Sequence, residues 1–492
     1  TVKTTDGGFT AKCRVTVKTA VEPKLESGIY QIGTPEELVW FAKKVNGGEN
    51  AFSAVLTSDI DLSEINWTPI GGNTVKFGGT FDGAGHVIRN LSVDYATKAS
   101  GERVYLGLFG CVEGTKDAHA VIKNFTVSGS VTVKSDYSVY SGNIAGVVAD
   151  GKHLDLSGVV SRVAVNADEN TGKACGVGGF AGVMVDCTVT DCGNEGNVSG
   201  VKDIGGFCYE LYAGTMTGCY NTGSVTAAGT YVGGIMGYAK NATIQNVYNR
   251  GAVSTTKNMV GGLVGVMDAS TVTNAYTAGT VAVVETGGPA VGAAIGWAGK
   301  VSNVYYLEGT AEKGIGRADD TSAATAEAKT ADQMQALQGV LGGYFKADTN
   351  AVNGGYPVLQ WQPGDVVEAT LTGIHIAKAP TRTEYTEGES FDAAGMVVMA
   401  VYSDGNEKEI SDYTIENGEA LTAGMTSVTV KYGDFTAEQP VTVTKKDVKA
   451  EYTLTMPADK TVNAGEAVAV PVTLSHTGDE TTFHAADMVF TY

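Results

Sequence analysis

Proline, histidine and positive charge are scarce in this sequence. Its 492 residues include 10 Pro, 6 His and 34 Lys+Arg against 54 Asp+Glu, which gives a formal net charge of −20. A chain this acidic lacks the basic surface that binds nucleic acid or an anionic membrane, so neither is expected as a partner. No apolar run approaches the roughly 20 residues of a membrane-spanning helix. We therefore expect no membrane span in these residues.

The usual catalytic signatures are also missing. The six His never occur as HxxxH, the zinc motif of peptidases, and no GxSxG, P-loop or dinucleotide-binding fingerprint occurs. The seven Cys leave one unpaired and show no CxxC pairs, which disfavours a disulfide framework and a zinc site. The sequence therefore predicts no catalytic residue, no metal site and no cofactor.

Paired acids are a further kind of candidate catalytic site, because β-solenoids can host carboxylate pairs that cleave polysaccharides. Asp59 and Asp61 form such a pair, but DIDL followed by WTPIG is typical of a strand and a turn. The spacing of these two acids also resembles the start of a calcium loop, without its Gly and distal Glu. Asp82 in FDGAGH is typical of an Asp-Gly turn. We interpret all three acids as structural.

Glycine, by contrast, is abundant. The 66 Gly stand in a chain that is 43% hydrophobic, which indicates many tight turns rather than disorder. Many of them belong to a repeated block of the form V-G-G-x-x-G, and a second block, such as QNVYNRGAV, recurs in step with it. The intervals of the first block are 27, 28, 28 and 31 residues. It begins at Val177, Ile204, Val232, Val260 and Val291, and the second block begins at Thr190, Thr217, Gln245, Thr273 and Ser302.

Repeats of this length, built from short β-branched runs between Gly and Asn, predict a parallel β-solenoid. Helical repeats are disfavoured, because the repeat region has no long window with 3.6-residue periodicity. With about three strands per unit, equivalent residues stack about 4.8 Å apart from coil to coil. The predicted inward ladders are Val189, Met216, Ile244, Val272 and Val301, and Cys192, Cys219, Val247, Ala275 and Val304.

These two ladders require a corner in every coil. Ile244 and Val247 are three residues apart, which breaks the strict alternation of a strand. We therefore place a corner near Asn246, with Asn274 and Asn303 stacked on it. Side-chain amides at such corners can bond each other and the exposed turn backbone.

Stacking of equivalent residues gives four recurring tyrosines two alternative roles. If the recurring tyrosines face outward, they form an aromatic ladder on which sugars stack, and they are the candidate ligand-binding residues; the alternative, which we favour, is that their stacking caps the coil edge. They are Tyr220, Tyr248, Tyr276 and Tyr305.

Cys192 and Cys219 fall in adjacent coils, close enough for a disulfide. The alternative, which we again favour, is two small buried hydrophobes.

Short helices are predicted at both ends of the repeats. Thr34-Pro35-Glu36-Glu37 combines an N-cap, a Pro at N1 and a capping-box Glu, and opens a helix that Gly47-Gly48 closes. Thr330 similarly opens a helix through MQALQGVL, which ends at Gly342-Gly343. Such helices can cover the apolar ends of a solenoid.

On these motifs, residues 29–362 resemble the GLUG-motif β-solenoid of secreted and surface proteins of bacteria. The resemblance rests on YQIGTPEELVWFAKKVN, on SDIDLSEINWTPIGG with FGGTFDGAGHVIRNLSV, on the V-G-G-x-x-G series and on NGGYPVLQW. It implies a right-handed β-helix with coils of about 28 residues and short capping helices. Relatives of this module occur in adhesins and in immunoglobulin A peptidases, usually as a non-catalytic part.

The flanking segments resemble β-sandwich domains. Residues 1–20 resemble the last hairpin of a bacterial immunoglobulin-like (Ig-like) domain, with its turn at residues 6–8, and residues 368–446 resemble a second such domain, with a hairpin turn at residues 403–405. Residues 451–492 resemble the opening third of a cohesin-like sandwich. The predicted fold class is therefore all-β, with a parallel solenoid, an Ig-like sandwich and a truncated sandwich. We expect the sequence to be a piece of a longer multidomain protein.

These resemblances imply a non-catalytic region of an extracellular or cell-surface protein of a Gram-positive bacterium. It would act in adhesion or as a display stalk, with host or dietary glycans or glycoproteins as its partners. The alternative is an accessory region of a secreted hydrolase or peptidase whose catalytic domain lies outside these residues.

Overall fold

The structure is a computed structural model that describes most of the chain in two compact units, 1–367 and 368–492. The sheets and three short helices below refer to the described residues alone. These are residues 2–3, 10–11, 20–97, 103–139, 142–171, 175–201, 203–284, 290–362, 371–402, 407–446, 451–455 and 473–477.

The first unit consists mainly of parallel strands that pair from one coil to the next. Sheet A contains the short strands at the glycine blocks, and sheet B contains the strands that follow them. Sheet A comprises Tyr105–Leu106, Gly142–Ala145, Cys175–Gly178, Ile204–Gly205, Val232–Gly233, Val260–Gly261 and Val291–Gly292. Sheet B comprises Phe109–Glu113, Val148–Lys152, Ala181–Val185, Cys208–Tyr212, Met236–Lys240, Val264–Asp268, Ile295–Ala298 and Ile315–Ala318.

Sheet C completes each coil, and its strands contain the second repeated block. Its N-terminal members are Lys24–Glu26, Ile29–Ile32, Ser53–Leu56, Ile60–Asp61, Thr80–Asp82, Val87–Thr97, Ala120–Val139 and Leu154–Thr171. The remaining members are Thr188–Thr190, Gly193–Asn194, Val198–Gly200, Thr215–Thr217, Tyr220–Asn221, Val225–Ala227, Thr243–Asn249, Val253–Thr255, Thr271–Thr277, Val281–Val283, Lys300–Leu307 and Glu327–Lys329.

The strand register confirms the predicted inward ladder. Ile244 pairs with Met216 on one side and with Val272 on the other, and the ladder continues to Val189 and Val301. These side chains are at most 2% exposed. Burial of each Val or Ile side chain stabilises the fold by about 1.5–3 kcal/mol, so every member of this ladder adds to the stability of the coils.

The predicted asparagine corner is also confirmed. Asn246, Asn274 and Asn303 have φ values of 53°, 49° and 53°, in the left-handed region that Asn tolerates better than most residues. The Asn274 Nδ2 atom donates to Asn246 Oδ1 at 3.2 Å, and Asn303 Nδ2 donates to Asn274 Oδ1 at 2.7 Å. The amide chain therefore fixes both the bend and the spacing of these coils.

The N-terminal coils are larger than the 28-residue pattern predicts. Their sheet C strands, Val87–Thr97, Ala120–Val139 and Leu154–Thr171, are 11, 20 and 18 residues long and pair in parallel. The repeated blocks are weakest in this part of the sequence, which is why the longer strands were not predicted.

Helix α1, Pro35–Asn46, confirms the N-terminal prediction. The Thr34 side chain accepts a hydrogen bond from the Glu37 backbone, and the Glu37 carboxylate accepts one from the Thr34 backbone. Leu38, Phe41 and Val45 are fully buried. The Phe41 ring packs 5.4–6.0 Å from three aromatic rings of the first coils, so the helix covers this part of the core.

The C-terminal helix prediction is correct in its start and wrong in its extent. Thr330 and Gln333 form the capping box, but the chain makes two short helices, α2 (Ala331–Gln335) and α3 (Gln338–Leu341). The helical run is interrupted at Ala336, where the backbone leaves the helical region. The strands Phe345–Lys346 and Val358–Leu359 then pair in antiparallel.

The second unit has two small hydrophobic cores, one around Tyr385 and Val428 and one around Val398 and Val430. Its strands are Leu371–Lys378, Glu384–Thr386, Val397–Tyr402, Glu407–Ile410, Thr414–Glu416, Ser427–Tyr432, Phe435–Pro440, Thr442–Thr444, Glu451–Thr455 and Thr473–Thr477. All pair in antiparallel except Glu384–Thr386 with Thr442–Thr444, which is parallel.

Both predicted hairpins have antiparallel strands. Val2–Lys3 pairs with Thr10–Ala11, and Val397–Tyr402 pairs with Glu407–Ile410. The turn residues themselves, 6–8 and 403–405, lie outside the described residues, as does most of the predicted cohesin-like segment.

Candidate functional site: the tyrosine column and the outer face of the coils

Three of the recurring tyrosines stack on one another, and none of the four faces outward. Adjacent rings lie 5.3 and 5.1 Å apart from Tyr220 to Tyr248 to Tyr276, with interplanar angles of 9° and 3°. The exposed fractions are 4%, 1% and 0% for these three residues and 8% for Tyr305. Rings this buried offer no open face to a sugar, which agrees with the alternative that we favoured, in which stacked tyrosines cap a coil edge.

A C-terminal segment covers these rings. Residues 331–362, which we call the strap, contribute Met334, Leu341, Phe345 and other apolar side chains to a core shared with the tyrosines. The Trp361 indole donates to the Gly218 carbonyl at 2.8 Å. The strap therefore runs back along the side of the coils, whereas we had expected a helix over their end.

Hydrogen bonds from the tyrosine hydroxyls hold several of these contacts. Tyr276 Oη donates to the Pro357 carbonyl at 2.5 Å, and Tyr248 Oη lies 3.0 Å from Gln362 Oε1. Tyr220 Oη donates to Glu195 Oε1 at 2.6 Å. Burial raises the pKa of Tyr220, Tyr248 and Tyr276, so these hydroxyls stay neutral donors.

A second asparagine column lies inside the coils, and the sequence analysis did not predict it. Asn194, Asn221 and Asn249 are completely buried, and each Nδ2 donates to the carbonyl two residues later at 2.8 Å. Asn194 Nδ2 also donates to Asn221 Oδ1, and Asn221 Nδ2 to Asn249 Oδ1, both at 2.8 Å. The sequence signal is Asn-x-Gly, which recurs within the second repeated block.

The glycine pairs leave room for this column. A Cβ on Gly234 would lie 2.2 Å from the Gly262 carbonyl and 2.3 Å from the Asn249 side chain. Any residue larger than Gly would displace the coil above or the buried amide. The second glycine of each pair is thus explained by close packing against the buried asparagine and the next coil.

The acids considered for catalysis are engaged in pairing between coils. Asp59 accepts from Arg89 Nη2 at 2.8 Å and from the Val87 backbone at 3.0 Å. Burial tends to raise the pKa of Asp61, but hydrogen bonds from Asn90 and Ser63 outweigh it and lower the pKa. The balance at Asp82 is similar: burial opposes ionisation, while hydrogen bonds from the Ala84 backbone and from Asn124 and Lys123 lower the pKa. A lowered pKa suits a structural carboxylate and not a general acid.

The two cysteines are free thiols. Cys192 and Cys219 are completely buried, and their Sγ atoms point at the carbonyls of Thr190 and Thr217 at 3.3 and 3.4 Å. Burial raises the pKa of Cys192 to about 12 and keeps the thiol protonated. The disulfide alternative is wrong, and the two side chains pack as small hydrophobes.

The outer side of sheet B carries an aromatic group that the sequence analysis missed. The Tyr231 and Tyr238 rings lie 5.9 Å apart, and Tyr238 Oη donates to Asp268 Oδ2 at 3.2 Å. Tyr209 lies beside them, at a position where the next copies of the block have Gly. The signal was visible in IGGFCY, which replaces the final Gly of the block with Tyr.

A cleft of about 540 Å³ lies beside helix α1. Val39, Ile65 and Trp67 give it an apolar lining, and Glu36 and Lys43 are among its polar residues. Within the described part of the chain, no group of three or more His, Cys, Asp or Glu is placed to hold a metal ion. No helix of the described residues has the length and apolarity needed to cross a membrane.

Comparison with known proteins assigns one domain. Residues 379–445 match the family described as Bacterial Ig-like domain (group 3), and the chain therefore contains such a domain. This domain is consistent with a secreted or surface protein.

The other similarities are partial. Over 86 residues the chain is 29% identical to pectate lyase L of Thermoclostridium stercorarium, which is 17% of this chain and 7% of that protein. A Bacteroides ovatus protein described as a putative immunoglobulin A1 protease superposes with a TM-score of 0.38 and 18% identity, over 68% of this chain and 92% of that one. Another IgA1 protease gives a TM-score of 0.37 and 13% identity, over 82% of this chain and 34% of that chain.

Proposed function

We propose that this chain is a non-catalytic region of a secreted or cell-surface protein of a Gram-positive bacterium. It serves in adhesion and display, with host or dietary glycans or glycoproteins as ligands of its outer surface. In this proposal the coils of residues 29–362 form a right-handed β-solenoid of the GLUG type, and a cohesin-like domain begins near residue 451.

The observation that carries this proposal is that polar side chains, buried and exposed, pair each coil with the next. Asn194, Asn221 and Asn249 bond one another and the backbone, and Asp59 and Asp61 bond the adjacent coil. These groups hold coils in register and are not free to act on a substrate. Such an array suits a stiff body that presents its outer face.

The alternative is an accessory region of a secreted hydrolase or peptidase. The 86-residue similarity to pectate lyase L favours it, because that protein is named as an enzyme and is much longer than the matched part. Both proposals give the coils a supporting role and differ in what the whole protein does.

The test is a panel of glycans and glycoproteins, including mucin, assayed for binding and for product formation with the same protein. We expect binding without turnover, and equal binding by Asp59→Asn and Asp61→Asn variants that remain folded. Turnover of any substrate that is lost in either variant would overturn the non-catalytic proposal. Absence of binding across the panel would overturn the adhesive part.

A further inference from the structure

The outer face of sheet B contains a carboxylate surrounded by tyrosines. In the strand Cys208–Tyr212, Cys208 and Leu211 belong to the hydrophobic core, while Tyr209 and Glu210 lie outside it and are half-buried. The strand register places Glu210 directly beside Tyr238 of the next coil. This group belongs to sheet B, whereas the buried tyrosine column belongs to sheet C.

Tyr209 fits a space that neighbouring glycines leave. A Cβ on Gly237 would lie 2.9 Å from Tyr209 Cδ2, and a Cβ on Gly176 would lie 2.4 Å from Tyr209 Cδ1. The ring is therefore held between the coil before it and the coil after it. Held in this way, an aromatic ring loses little conformational freedom when a ligand binds.

Two acids, Glu210 and Asp268, lie near these tyrosines, and they differ in their hydrogen-bond and ion-pair partners. Among the residues that the structure describes, no cationic nitrogen lies within 4 Å of the Glu210 carboxylate and no group donates a hydrogen bond to it. Burial raises the pKa of Glu210, and Lys240 opposes that rise. The Lys240 ammonium, however, lies 3.5 Å from Asp268, and Asp268 also accepts from Tyr238.

Another pair in the same column of sheet B shows how a cation packs on an aromatic ring there. Register along sheet B runs from Glu210 through Tyr238 and Val266 to Trp297 and Arg317. The Arg317 guanidinium lies 3.9 Å from the centre of the Trp297 ring. Cations are attracted to aromatic faces, and most strongly where the surroundings are partly desolvated.

We propose that Tyr209, Glu210 and Tyr238 form a binding site for an arginine or lysine side chain on a basic peptide segment of a partner protein. The cation pairs with the Glu210 carboxylate, and the tyrosine rings pack against its aliphatic stem and charged head. A neutral sugar would leave this half-buried carboxylate without a counter-charge, so the site fits a basic peptide better. The net charge of −20 attracts such a partner from a distance.

This site goes beyond the proposed glycan binding and does not depend on it, because peptide and glycan are measured separately. The probe is a fluorescent, end-blocked peptide with two arginines, and its matched control carries citrulline in place of arginine. Anisotropy with the whole chain measures the Kd at low and at physiological salt. We expect the arginine peptide to bind, the citrulline peptide not to bind, and the Kd to rise with salt.

Two variants locate the site. Glu210→Gln should weaken arginine-peptide binding by about tenfold or more, whereas Glu312→Gln, at an exposed acid elsewhere, should change it by less than about twofold. Tyr209→Gly restores the glycine of the repeated block and should lose binding. Its Tm should fall because the ring fills space between two coils, so binding is measured at a temperature at which circular dichroism shows the variant to be folded. Equal binding by Glu210→Gln, or equal binding of the citrulline peptide, would overturn the proposal. A neutral oligosaccharide that binds in a Glu210-dependent way, in place of the peptide, would overturn it as well.

Discussion

Asn221 is the middle residue of the buried asparagine column, and its side chain is fully used. Its Nδ2 donates to Asn249 Oδ1 and to the Gly223 carbonyl, and its Oδ1 accepts from Asn194 Nδ2, all at 2.8 Å. In a dry interior these bonds cannot be replaced by water, so a missing member leaves its neighbours unpaired.

Asn221→Ala should therefore lower the free energy of unfolding by roughly 3 kcal/mol or more, because each buried polar group left unpaired costs about 1–3 kcal/mol. Asn197→Ala is the matched control. Asn197 is exposed, and its Oδ1 accepts from Ser224 at 2.9 Å. We expect that variant to lose at most about 1 kcal/mol. Equal losses in urea unfolding would show that the buried column is not a special source of stability.

Asp150 is a different case, because its charge is unfavourable where it lies. Burial raises the pKa of Asp150, and the hydrogen bond from Asn143 and the charge of Lys76 offset this only in part. The folded state therefore binds a proton more tightly than the unfolded state. Stability falls as the pH rises through the raised pKa.

Asp150→Asn removes this ionisation and keeps an oxygen that can accept from Asn143 Nδ2. We expect the variant to have a higher Tm than the unchanged protein at pH 7. The difference should vanish at about pH 3, below the ordinary pKa of Asp, where the carboxyl is protonated in both the folded and the unfolded state. Asp117→Asn, at an exposed acid, should show no such trend. A Tm difference that is the same at both pH values would contradict the assignment.

Among the structural elements, the strap is the one whose position could not be predicted from the sequence. The ladder at Ile244 and the corner at Asn246 follow from short spacings that repeat, so they could be predicted. The tyrosine column could be predicted as a stack but not as a buried one. Its cover comes from residues far away in sequence, as in the bond between Trp361 and Gly218, and no local pattern reports that contact.

Neighbouring residues of helix α3 offer a direct test of the strap. Leu341 is 1% exposed and packs with the tyrosine column, whereas Val340 is 55% exposed. Leu341→Asp should release the strap, because a buried unpaired carboxylate costs several kcal/mol, and Val340→Asp should not. Nitration of Tyr248 and Tyr276, followed by mass spectrometry, should increase only in Leu341→Asp. An equal increase in both variants, or none, would contradict the packing described here.

Across the whole molecule, the repeats determine some features and leave others open. Parallel pairing, the asparagine corner and the cap at helix α1 follow from residue spacing and capping chemistry. The larger N-terminal coils and the aromatic group at Tyr209 do not, because they arise where the repeat is weak or broken. In the proposed function, the outer face binds ligands and the interior supplies rigidity.

Hydrogen exchange along the coils tests most directly the central claim, that they form one rigid body. Amides in Thr215–Thr217, Thr243–Asn249 and Thr271–Thr277 should exchange with the same free energy, equal to that of global unfolding of the first unit, because each strand pairs with a coil on both sides. Exchange is read by mass spectrometry on peptides from each coil. Exchange of one of these central coils several kcal/mol below its neighbours would show independent opening and would contradict the account.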